Sequence, residues 1–166
     1  GYPVRIRGLE GGAVVDETRR VRSVRRTLST ASDWAAVGKA AAEWWVDQGL
    51  VTGKAVIKVA AAMGEGPQLR DTEWPKLLQT LVEAVDGRVP VVCGLHYKDT
   101  LRTIEDAKIA RDLGAIGLQI SPPIFNDPNQ DDMLRYYETV SDAIDIPLMV
   151  QDAPVAGTPL SVPFLA

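Results

Sequence analysis

The chain of 166 residues has a single cysteine, Cys93, and a single histidine, His96. One thiol excludes a disulfide framework within the chain. One imidazole argues against a His-rich zinc site, which draws several nitrogen or sulfur ligands together; no metal and no cofactor is expected. Long apolar runs are also missing, since none approaches the roughly 18 residues of a membrane span. No basic-then-apolar leader opens the chain, so no membrane partner is expected and the cytoplasm is the expected compartment. Nor is there an excess of positive charge. Eighteen Lys and Arg face 22 Asp and Glu, a formal net charge of −4, and the pI is near 5.0. Such a balance describes an acidic globular protein, not a nucleic-acid binder.

What is present suffices for one domain. Hydrophobic residues make up 46% of the sequence, enough to bury a core. Positive charge collects early: residues 1–54 carry nine Lys or Arg against six Asp or Glu, and the remainder nine against sixteen. Arg19, Arg20, Arg22, Arg25 and Arg26 account for much of it. No aromatic side chain lies between Pro3 and Ala31 to stack a base, so this stretch reads as a solvated segment and no nucleic-acid partner is expected. Residues 1–32 are accordingly a basic N-terminal segment without a clear assignment, and 33–166 form the domain.

From Asp33 the pattern is regular. Ser32 or Asp33 can cap a helix running to about Gln48, with Trp34, Val37, Ala41, Trp44 and Trp45 on or near one face and Gly49 as its stop, the double tryptophan reading as core or interface packing before ligand stacking. AVIKVA at 55–60 reads as a strand, followed by a Gly-rich loop over 61–70. Asp71 opens a second helix in which Trp74, Leu77, Leu78, Leu81, Val82 and Val85 recur at helical spacing. VPVVCG at 89–94 is a short apolar run suited to a strand buried on both faces. A helix over 99–113, a strand at 115–120 (AIGLQI), a Pro-rich loop, a helix over about 130–144 and a strand at 146–150 (IPLMV) follow.

Strands alternating with amphipathic helices at intervals of about 30 residues imply parallel pairing through crossovers. An open doubly wound sheet and a (β/α)8 barrel both satisfy this α/β pattern. The open sheet usually carries G-x-G-x-x-G or G-x-x-x-x-G-K-[ST] after its first strand, and neither occurs, which favours the barrel. In either case ligands meet the C-terminal ends of the strands. Those ends offer Gly64, Glu65 and Gly66, then His96, Tyr97 and Lys98, then Ser121 to Asn126, then Gln151 and Asp152. A carboxylate, an imidazole, a phenol, an amine and an amide converging on one rim suit a small-molecule site. His96 could move protons near neutral pH, although a lone histidine in a loop is more often a surface or capping residue. Asp152 could orient a hydroxyl or cap a turn. Lys58 sits within an apolar strand, on the face opposite Ile57 and Val59. A desolvated lysine can be a Schiff-base nucleophile, and a snorkelling one is commoner.

These residues resemble a known family. MGEGPQL at 63–69, EAVDGRVPVVCGLHYKDT at 83–100, RDLGAIGLQISPPIFNDPNQDDML at 111–134 and IPLMVQDAP at 146–154, with a weaker echo in GGAVVDE at 11–17, are similar to the dihydrodipicolinate synthase and N-acetylneuraminate lyase family. That family consists of pyruvate-dependent class I aldolases built on a (β/α)8 barrel. The resemblance implies an incomplete TIM-type barrel of about the first five βα units, since a full one takes about 250 residues. It implies lyase chemistry on pyruvate or a related 2-oxo acid, and a homo-oligomer.

Residue by residue, the family's Gly-Thr-Thr-Gly-Glu block reads Ala61-Ala62-Met63-Gly64-Glu65 here, so both carboxylate-binding hydroxyls are replaced. The relay tyrosine of Pro-Tyr-Tyr-Asn becomes Phe125, and the catalytic tyrosine after the fifth strand becomes Gln151. An amide can hydrogen-bond a substrate but cannot relay a proton as a phenol does. Gln151 and Phe125 thus stand at catalytic positions, and Ala62, Met63, Gly64, Glu65, His96 and Asp152 are the candidate substrate contacts. The family's Schiff-base lysine belongs to the sixth strand and is not among these residues, so the chain by itself is expected to be inactive. Two alternatives stay open: a non-enzymatic half-barrel that associates with itself or a partner subunit, and a carboxylate-binding regulatory domain.

Overall fold

The computed structural model describes residues 4–5, 14–15, 31–62, 66–124, 127–152, 159–161 and 164, with the backbone alone at 4–5, 14–15 and 31–34. The basic run Arg19–Arg26 lies outside the described residues. Element order is β1 (Val4–Arg5), β2 (Val14–Val15), α1 (Ala31–Asp47), β3 (Ile57–Val59), α2 (Trp74–Val85), β4 (Val91–His96), α3 (Thr100–Asp112), β5 (Gly117–Ser121), α4 (Gln130–Ala143) and β6 (Leu148–Val150). The short β1 and β2 pair antiparallel. β3 to β6 form one parallel sheet in sequential order. No described helix is long and apolar enough to cross a membrane.

Register separates the two faces of the sheet. Val59, Cys93, Leu118 and Leu148 stand side by side, and Leu95 stands beside Ile120 and Val150. These side chains share one core with Leu78, Leu81 and Val85 of α2, Ala107 and Ala110 of α3, and Met133, Tyr136 and Val140 of α4. The opposite face carries Lys58, Val92 and Gly117 in one row, Gly94, Gln119 and Met149 in the next, and His96 beside Ser121. Helices on a single face, with strands in chain order, make this a section of barrel wall; a doubly wound sheet covers both faces and reverses its strand order. Lys58 on β3 hydrogen-bonds Gln151 just after β6, although two strands lie between them. Such a bridge fits a sheet curled toward this inner face.

Several boundaries differ from the sequence reading for local reasons. The strand expected over 55–60 is confined to Ile57–Val59. Lys54 and Ala55 N–H groups turn back onto the Val51 carbonyl, and Ala60 takes a left-handed φ of 55° that ends the ladder. The second helix starts at Trp74, not Asp71. Before it, the Arg70 N–H is held by the Glu73 carboxylate, and Pro75 occupies the first turn, where no N–H is missed. α1 begins at Ala31, so Ser32 and Asp33 fall inside the helix instead of capping it. Of the core and interface roles open to Trp44 and Trp45, the core is excluded: they are 37% and 48% exposed, with rings edge to face at 4.6 Å. Ala42 and Val46, one turn apart, fill the contact instead. Close approach of α1 to α2 explains the preference for small groups, since a Cβ on Gly38 would lie 2.8 Å from Leu77 Cδ1.

Candidate functional site

Two groups of polar residues stand out, one at the C-terminal end of β4 and one on the inner face of the sheet, where Lys58 and Gln119 are the middle residues of β3 and β5 and Gln151 follows β6. The first surrounds His96. Sequence reasoning put this histidine in a loop; it is the last residue of β4 and is 4% exposed. Nδ1 lies 2.8 Å from Ser121 Oγ, its neighbour on β5, while Nε2 is buried without a hydrogen-bond partner. Burial, reinforced by the positive charges of Lys58 and Lys98, pushes its pKa down to about 4. That pKa leaves the imidazole neutral at pH 7, and a position only 4% exposed departs from the surface or capping role expected of a lone histidine.

His96 borders a cavity of about 210 Å³ with Ala60, Gly66, Trp74, Gly94 and Lys98. The two glycines have a steric reason. A Cβ on Gly94 would lie 2.6 Å from His96 Nε2 and 2.7 Å from the Ala60 carbonyl oxygen, and one on Gly66 would overlap that same carbonyl. Trp74 Nε1 is a second buried group without a hydrogen-bond partner on this cavity. Lys98 lies over the Trp74 ring, 5.6 Å from its centroid, and pairs with the fully buried Asp106. Arg102 approaches Asp106 at 3.2 Å and Asp71 at 3.0 Å, so the carboxylate of α3 meets two cations. This ion network holds the segment after β4 onto α3; its α3 members were not foreseen.

The second group lies on the inner face of the sheet. Lys58 Nζ donates to Gln151 Oε1 at 3.1 Å, and Gln119 Nε2 donates to the same oxygen at 2.7 Å. Partial desolvation lowers the Lys58 pKa, opposed by the nearby Cys93. Lys58 does face away from the helix-covered core, as strand alternation predicts. Gln119 was missed, although it gave the same signal as Lys58, a polar residue inside the apolar run AIGLQI. The backbone of Gln151 also extends the ladder, its N–H donating to the Ile120 carbonyl at 2.8 Å.

The remaining candidates are divided. Ala62 is half-buried at the end of the loop start after β3. Asp152 is exposed, and its Oδ1 receives the Leu160 N–H at 3.4 Å. Met63, Gly64, Glu65, Phe125 and Asn126 lie outside the described residues. Cys93 is fully buried, with its thiol pushed up to about 12 by desolvation, which makes it packing and not a nucleophile. Tyr136 and Tyr137 are buried in the core, where burial raises both phenols. They bond Thr103 and the Ile120 carbonyl respectively. No group of three or more His, Cys, Asp or Glu among the described residues is arranged to hold a metal ion.

Against known proteins, a sequence model of the dihydrodipicolinate synthetase family matches residues 22–164. The chain is 38% identical over 91 residues to 4-hydroxy-tetrahydrodipicolinate synthase of Thermomicrobium roseum, covering 55% of this chain and 30% of that protein. It is 37% identical over 105 residues to the synthase of Cutibacterium acnes, covering 63% and 36%. Dihydrodipicolinate synthase from Aquifex aeolicus has a similar structure, with a TM-score of 0.70 at 27% identity over 80% of this chain and 44% of that one. A prophage protein of the dihydrodipicolinic acid synthase family from E. coli K12, solved in complex with pyruvate, gives 0.63 at 27% identity over 72% and 39%. The chain spans less than half the length of each of these relatives.

Proposed function

The chain belongs to the dihydrodipicolinate synthetase family, and from that membership we propose that it supplies part of the barrel wall and substrate site of a lyase or aldolase acting on pyruvate or a related 2-oxo acid. The observation that carries this reading is the inner-face cluster of Lys58, Gln119 and Gln151, which starts at mid-strand on β3 and β5 and reaches the C-terminal side of the sheet at Gln151, just after β6. Ligands of barrel enzymes bind on that side, and the resemblance aligns Gln151 with the family's catalytic tyrosine. The pyruvate complex of the E. coli relative supports the same substrate class. In this reading Gln151 binds the substrate without exchanging a proton, because a carboxamide neither gives nor takes one near pH 7. Phe125, at the relay position, contributes only apolar surface. Ala62, Met63, Gly64 and Glu65 border the carboxylate end, with His96 and Asp152 at the rim.

Carbon–carbon cleavage in this family passes through an imine, formed when a lysine amine condenses with the keto group and water leaves. We assign no imine-forming lysine to residues 1–166, so this polypeptide by itself binds the oxo acid without turning it over. A homo-oligomer in the cytoplasm completes the proposal. The test is to add pyruvate to the 166-residue chain, measure binding by calorimetry, then reduce with borohydride and weigh the protein. Saturable binding with no mass gain is expected. Absence of binding would reject the oxo-acid reading, and a gain mapped to a lysine would reject the assignment of inactivity.

A further inference from the structure

A lysine ammonium has three donors and no acceptor. The atom of Gln151 that lies 3.1 Å from Lys58 Nζ is therefore the carbonyl oxygen, and the NH2 is turned the other way. Gln119 meets the same oxygen at 2.7 Å and must use its own nitrogen to do so. One cation thus sets the orientation of two amides. Without it the pair has two equivalent arrangements, since either glutamine can donate to the other and the two ends of an amide have nearly the same shape.

The sheet leaves room for this reach. Lys58 stands beside Val92 and Gly117 in its row, and the row above begins with Gly94. Gly94 and Gly117 on the two middle strands let the long amine pass to the end of β6. Its surroundings are partly desolvated, which strengthens a bond from a charged donor.

We propose that Lys58 is a positioning residue that locks the Gln151 amide with its oxygen toward Lys58 and Gln119 and its NH2 toward the substrate, making Gln151 an obligate hydrogen-bond donor to the 2-oxo acid. The proposal rests on the oxo-acid reading above and deepens it. It replaces a proton relay by a fixed donor: the NH2 can hold a carboxylate or keto oxygen, and the lock prevents the amide oxygen from facing that anion.

The test uses the 15N-labelled full chain and the side-chain NH2 resonances of Gln119 and Gln151. In the wild type each gives one sharp pair, and pyruvate shifts that of Gln151. Lys58→Met is expected to double or broaden both pairs and to weaken pyruvate binding about tenfold, while Lys58→Arg, which keeps a donor-only cation, restores both readouts. Gln151→Glu keeps the partnership with Lys58 but turns an oxygen to the substrate, and is expected to abolish binding. It serves as the deciding variant if Lys58→Met does not fold; undiminished binding in Gln151→Glu overturns the proposal. So do unchanged Gln119 and Gln151 resonances in Lys58→Met. Pyruvate that shifts other resonances but not the Gln151 NH2 overturns this proposal and leaves the oxo-acid reading standing, whereas pyruvate that shifts nothing overturns both.

Discussion

His96 shows how much a single position can depend on its neighbours. In the unfolded chain its pKa is that of an ordinary histidine, about 6.5; in the fold it is pushed down to about 4. Protonation therefore favours the unfolded state. The contribution to stability is complete above pH 6.5 and is lost as pH falls from there toward 4, by an amount of order 3 kcal/mol. Because the chain has one histidine, its ring resonances report the site without ambiguity. An NMR titration of the folded chain should give a midpoint near 4, and a midpoint near 6.5 would show an imidazole open to water. The sequence could not supply this result, since burial of His96 comes from pairing with β5 and from the cavity wall, both contacts distant in sequence. Lys58 was more legible: strand alternation alone assigned its face. Its partner Gln151 was legible only as a rim residue, because a contact between the first and last strands of a sheet depends on curvature.

At the scale of elements, periodicity identified the four α-helices and four parallel strands found among the described residues, and it erred mainly at their ends. Those ends are settled by single side chains. α4 begins at a capping box in which the Asn129 side chain accepts the Asp132 N–H at 3.0 Å and the Asp132 carboxylate accepts the Asn129 N–H at 3.2 Å. Asn129→Ala should cost about 1 kcal/mol in urea unfolding, because it leaves an N–H of the first turn unsatisfied. Asn129→Ser, which retains an accepting oxygen, should recover most of that loss; equal destabilisation by both would place the effect outside the cap. The place of the tryptophans of α1 has a different cause. Helical spacing puts Ala42, Trp45 and Val46 on neighbouring positions, and only the closeness of α2, visible at Gly38, decides that the small residues occupy the seam.

For the molecule as a whole, the four parallel strands leave two free sides: among the described residues, β3 pairs only with β4, and β6 only with β5. A closed barrel has no such edges, and exposed strand edges are templates for pairing with another chain. The edges here also carry apolar side chains, with Val56 at 50% exposure just before β3 and Met149 at 53% on β6. Charged residues that would blunt an edge are absent from Leu148–Val150. Taken alone, the 166-residue polypeptide should therefore self-associate, with a light-scattering mass above the 18.0 kDa of one chain and rising with concentration. Val56→Lys together with Met149→Lys should return it toward that mass, since lysine at an edge opposes further strand addition. A wild-type chain that stays monomeric at every concentration would mean that its edges are already covered. The same pair of substitutions separates association through the sheet from association through the exposed Trp44 and Trp45 of α1, which it leaves untouched.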